Sequence, residues 1–90
     1  MAKAVVDPGE LRRFAAELKR FNTNLREQLS VIQARTNDLS QSWRDQEQVK
    51  FAEEFEQTTR VLARFCEAAD KHVPFLLRKA EKIEEYLSQR

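Results

Sequence analysis

Thr36-Asn37-Asp38-Leu39-Ser40-Gln41-Ser42-Trp43 is the stretch in which a long helical pattern lapses, and its polar, turn-forming residues place one turn between two helices. Before it, Leu11, Leu18, Leu25, Ile32 and Leu39 recur every seven residues, with Phe14, Ala15, Phe21 and Leu29 on the same side. At about 100° per residue these positions fill an arc of roughly 120°, one apolar face of a continuous helix. The other side carries Arg12, Arg13, Glu17, Lys19, Arg20, Arg26 and Glu27 and reads as solvated. The helix start is marked by Asp7-Pro8-Gly9-Glu10-Leu11. Asp7 can cap the first turn, Glu10 can complete a capping box, Pro8 suits the first helical position, and Val6 and Leu11 have staple spacing.

After the turn, Ser42 with Asp45 reads as a weaker cap for a second helix. Its stripe runs through Phe51, Phe55, Thr58, Leu62, Phe65, Ala69, Val73, Leu76, Ala80, Ile83 and Leu87, with spacings that alternate between three and four. The sequence therefore predicts an all-α chain forming a single domain over 1–90, with helix 1 over about 8–39, a turn over about 40–43 and helix 2 over about 44–88. Pro74 interrupts the second stripe without changing its phase. It predicts a kink over about 67–74, with a short break and a third helix as the alternative.

Composition narrows the function. Gly9 is the only glycine, and Pro8 and Pro74 are the only prolines, which leaves room for few elements. Charged residues make up 34% of the chain, but 16 Lys and Arg stand against 15 Asp and Glu, interspersed along it. Neither nucleic acid nor an acidic membrane is the expected partner of such a balance. No run approaches the roughly 20 apolar residues of a membrane span, and the start Met1-Ala2-Lys3-Ala4-Val5-Val6 lacks a signal peptide's apolar segment. The expectation is a soluble chain made in the cytoplasm, whose export would need a route without a classical signal peptide. The single cysteine, Cys66, cannot form an internal disulfide.

A short turn makes the helices antiparallel. With a rise of about 1.5 Å per residue they would be roughly 48 and 68 Å long. Folding about Gln41 would bring Pro8 opposite a residue near Pro74, so that Phe75, Leu76, Leu77, Ile83, Tyr86 and Leu87 would project beyond the hairpin uncovered. Burying one large apolar side chain contributes about 1.5 to 3 kcal/mol, more than a small domain can forgo several times over. A partner that covers them is implied.

These residues resemble the WXG-motif (ESAT-six-like) family of small helical hairpins, made in pairs and exported by type VII secretion. The likeness spans nearly the whole chain: its length, the Val6-Asp7-Pro8 start, one dominant turn and an aromatic-rich second helix. Trp43 lies in the turn, and Phe51 and Phe55 follow at the spacing the family commonly shows. In Trp43-Arg44-Asp45 an aspartate stands where the family has glycine, a residue that readily enters left-handed backbone. Tyr86-Leu87-Ser88-Gln89-Arg90 ends in a base where the family's export signal has an acid four residues after the tyrosine. The resemblance implies a hairpin that pairs with itself or a related hairpin into an elongated four-helix bundle. It also implies a secretion-system ATPase as a further partner and an acidic tail signal carried by a second chain.

Catalytic chemistry has little to stand on. Cys66 and His72 are six positions apart, about 120° around a helix, too far for a nucleophile and its base. Cys66 reads as a small buried hydrophobe and His72 as flanking the core. The Glu-x-x-His pattern of di-iron bundles is missing, since Ala69 stands three before His72, so neither metal nor cofactor is expected. Phe14, Phe21, Phe51, Phe55 and Phe65 read as core. The seam expected to serve the core or a dimer is Leu11, Phe14, Leu18, Phe21, Leu25, Ile32, Phe51, Phe55, Leu62, Phe65, Leu76, Ile83 and Leu87. Trp43 either plugs the hairpin's end or, with Arg44, Asp45 and Tyr86, forms a recognition surface. The sequence thus predicts a non-catalytic binding protein that resembles type VII substrates or their partners. A cytoplasmic coiled-coil adaptor unrelated to secretion is the rival reading.

Overall fold

The structure, a computed structural model, describes residues 6–89. Two long helices, α1 (Pro8–Leu39) and α2 (Gln46–Ser88), lie side by side as an antiparallel hairpin measuring 69 × 22 × 17 Å. Asp7 caps α1: its backbone is extended and its carboxylate accepts from the Gly9 amide at 3.0 Å, with Pro8 at the first helical position. At the far end the Ser40 amide donates to the Thr36 carbonyl (3.1 Å) and the Trp43 amide to the Leu39 carbonyl (2.9 Å), so the last turn closes on its own carbonyls. The linking segment then runs over residues 40–45, and α2 begins on an Asp45 cap rather than a Ser42 one. The Asp45 carboxylate accepts from the Gln48 amide at 3.0 Å. Once started, α2 continues unbroken through Pro74, and no third helix forms among the described residues.

The core is a narrow line of small residues. Ala15, Cys66, Ala69 and Ala80 are buried, together with the polar Asn22 and Thr59. Small side chains let two helices approach closely, and a pair of helices shields only the strip between them. The arc of roughly 120° read from the sequence of α1 exceeds that strip, so the larger residues fall on its flanks. This corrects the expectation that the phenylalanines are core. Phe14, Phe21, Phe51 and Phe65 are exposed, and Phe55 is half-buried.

The register also differs from a fold about Gln41. Arg12 pairs with Glu84 and Arg26 with Asp70, and Ala80 is completely buried, so the chain after Pro74 lies along α1 instead of projecting. Leu76 and Ile83 are half-buried against it. The reason is the turn: α2 starts at Gln46, and its first turns run beside the linking segment, so that Arg12, opposite residue 70 in a fold about Gln41, meets Glu84, 14 residues further on. With Arg12 level with Glu84, at most about one turn of α2 extends past Pro8. No described helix is long and apolar enough to cross a membrane.

Candidate interaction surface

The hairpin's two broad faces have opposite chemistry. On one face, polar groups of α1 and α2 satisfy each other. Arg12 Nε and Nη2 donate to both Glu84 oxygens at 2.9 and 2.7 Å. Arg26 Nη2 donates to Asp70 Oδ2 at 2.7 Å, and Asn22 Nδ2 donates to Asp70 Oδ1 at 3.1 Å. These bonds hold both carboxyls below their ordinary range: Asp70 through the hydrogen bond from Arg26, then that from Asn22, and Glu84 through the one from Arg12. The same bonds raise both guanidiniums above theirs. Arg12 and Arg26, read from the sequence as purely solvated, are therefore interhelix clamps.

The opposite face is apolar. Around α1, Phe14, Phe21, Ile32 and Leu39 lie roughly 80–100° to one side of the line that meets α2. Around α2, Phe51, Phe65 and Leu87 lie on the same side of the hairpin. The Phe21 and Phe65 rings meet edge to face with centroids 6.1 Å apart, which joins the two rows. Even so, Phe14 is 53% exposed, Phe21 52% and Phe65 46%. Between the rows runs a shallow groove lined by Leu25, Leu29, Ile32, Phe55 and Leu62. One hairpin has no further side chain to lay over it.

At the turn end this face closes on an aromatic ladder. Trp43, half-buried, tilts against Phe51 (5.8 Å between centroids), and Phe51 stacks on Phe55 at 5.4 Å. Trp43 thus covers α2's first turns, while Arg44 Nε turns back to the Gln41 carbonyl at 3.0 Å. Asp45, with φ −87° and ψ −176°, is extended, and no described residue has positive φ. The third position of the Trp-x-Gly motif is here a helix N-cap. Aspartate and glycine are both good N-caps, so aspartate replaces glycine without strain.

Of the remaining expected residues, Leu11, Leu18, Leu25, Leu62, Leu76 and Ile83 are half-buried along the flanks, and Leu87 is exposed. Tyr86 is 69% exposed at the opposite end from Trp43, about 60 Å away along α2, so one chain does not bring the two together. Arg90 lies outside the described residues. Sequence reasoning missed Asn22, Thr59, Asp70 and Glu84, whose only signal was a polar residue interrupting or flanking an apolar stripe. Cys66 is fully buried and His72 exposed.

The family described as proteins of 100 residues with WXG (WXG100) matches residues 4–86. Solved structures of EsxB, a secreted protein of Bacillus anthracis strain Sterne, have the same fold. The selenomethionine-labelled form has a TM-score of 0.77 and 26% identity, covering 96% of this chain and 98% of that one. The wild-type form in a second crystal setting has a TM-score of 0.76 and 27% identity, covering 91% and 94%. A single-residue mutant of it has a TM-score of 0.80 at 26% identity, covering 94% and 96%. Comparison with curated proteins gives no match.

Proposed function

Because this chain belongs to the WXG100 family, we propose that it is a non-catalytic type VII secretion substrate or partner that works by binding a second helical hairpin, its own copy or a relative, through the aromatic face. The observation that carries this reading is the asymmetry of the two faces. Polar groups on one face are paired within the chain, while Phe14, Phe21 and Phe65 on the other remain about half exposed. Exposed apolar rows at heptad spacing over the length of two helices form an interface for two more helices, which makes an elongated four-helix bundle.

Export of this chain agrees with EsxB being a secreted protein. In an antiparallel pair of hairpins, Trp43 of one copy comes near Tyr86 of the other, and Trp43, Arg44, Asp45 and Tyr86 then share one end of the bundle. That composite end is the surface a secretion ATPase would read. Since Arg90 stands where the family's tail signal has an acid, export depends on a second hairpin that carries the signal.

The test is to express this chain in a bacterium with an intact type VII system, with and without a related hairpin bearing an acidic tail. Export only in the presence of that hairpin supports the reading, and efficient export of the chain alone overturns the dependence. An adaptor that stays in the cell would be retained in both cases.

A further inference from the structure

Away from both broad faces, the outward side of α2 from Arg60 onward carries a second pattern. Val61, Ala68 and Phe75 are seven apart, and each is followed three positions later by a base: Arg64, Lys71 and Arg78. Lys79, Lys82 and Tyr86 continue the same side at positions four, seven and eleven after Phe75. All are exposed, with Val61 at 55%, Phe75 at 58% and Tyr86 at 69%. None of these five bases takes part in an ion pair among the described residues. At about 100° per residue, the acids of this stretch, Glu67, Asp70, Glu81, Glu84 and Glu85, all lie at least about 80° from Val61, Ala68 and Phe75, with Glu67 and Glu85 just beyond Arg78 at the stripe's edge. Asp70 and Glu84 among them are engaged with α1. The outer side of α1 is different: Arg13, Glu17, Arg20, Glu27, Arg35 and Asp38 mix both signs. A chain of net charge +1 has thus placed an acid-free stripe on one helix side only.

We infer that this stripe docks an acidic amphipathic helix, one whose apolar seam packs on Val61, Ala68 and Phe75 while acids beside the seam pair with Arg64, Lys71, Arg78 and Lys82. An apolar seam flanked by one sign of charge selects a helix flanked by the other. One apolar anchor every two turns, three along about 21 Å and one of them an alanine, is too sparse to hold a helix in a lipid interface. The middle of the stripe lies about 90° around α2 from Phe65, with Val61 and Lys79 on its near edge.

The probe is a synthetic helix of about four heptads with leucines along one seam and glutamates on both sides, titrated onto the intact chain by fluorescence anisotropy. A lysine-flanked copy, anionic phosphatidylglycerol vesicles and duplex DNA form the comparison arms. The glutamate helix should bind more tightly than any of the three and weaken as salt rises. Lys79→Glu with Lys82→Glu should weaken it by about tenfold or more, which is about 1.4 kcal/mol. Arg13→Glu with Arg20→Glu, on the outer side of α1, should leave it unchanged, and circular dichroism should show both variants folded. Tighter binding to vesicles or DNA, indifference to the Lys79 and Lys82 reversals, or loss of binding on Phe21→Glu alone would each overturn the inference. Failure of the hairpin to pair would leave it standing, because light scattering reads pairing separately.

Discussion

Phe21→Ala separates a face that is merely exposed from one that binds. Phe21 meets Phe65 at 6.1 Å yet keeps 52% of its surface exposed, so one hairpin supplies about half of its burial. Fully burying a phenylalanine contributes about 1.5–3 kcal/mol, so a covering hairpin adds roughly the other half, about 0.7–1.5 kcal/mol. In a symmetric pair the residue counts twice, and the truncation weakens pairing by about 1.5–3 kcal/mol, or roughly 10- to 150-fold in Kd. Val31→Ala is the control. Val31 is 44% exposed but lies on the outer side of α1, and surface changes there stay within about 0.5 kcal/mol, roughly twofold in Kd. Sedimentation velocity across a dilution series measures both constants. Equal effects of the two substitutions, or a Phe21→Ala variant that loses melting temperature by the same amount at every concentration, would refute the reasoning.

Asp45→Gly should lower stability by only a few tenths of a kcal/mol and Asp45→Ala by about 0.5–2 kcal/mol, because glycine is a tolerable N-cap and alanine is not; chemical denaturation distinguishes them. Asp70 and Glu84 titrate below their ordinary values in the folded chain, so their contribution is full above about pH 4.5 and is lost as pH falls through the lower folded values. Melting curves from pH 6 to pH 2.5 should show that loss, and Asp70→Asn with Glu84→Gln should flatten it. Trp43→Ala removes a half-buried ring from the Phe51 ladder; the proposed recognition role predicts reduced export with dimer mass and melting temperature nearly unchanged. A plug would instead lose stability first, toward the roughly 3–5 kcal/mol of a fully buried aromatic.

Helicity and the hairpin were legible because Leu11 through Leu39 keep a strict heptad and the lapse after them is unique in the chain. The family was legible in Trp43, Phe51 and the Val6-Asp7-Pro8 start. The register was not. A shift of a few residues in the turn leaves each helix's own periodicity untouched, and only the Arg12–Glu84 and Arg26–Asp70 pairs reveal the level at which the helices meet. Nor was the inner line. Ala15, Ala69 and Ala80 score weakly in any count of large apolar residues, yet their small size lets the helices approach and pushes the phenylalanines to the flank. The α2 cap was legible only in part: Ser42 and Asp45 were both read into it, and only the extended backbone at Asp45 shows which residue caps.

If a second hairpin covers the aromatic face, multi-angle light scattering on the purified chain at micromolar concentration will see it in the mass. The expected mass is near twice 10.6 kDa for the self-paired chain, falling toward 10.6 kDa for a folded Phe21→Asp, Phe65→Asp variant. A compact, stable monomer of the unaltered chain at that concentration, both alone and mixed with a related hairpin, would contradict it.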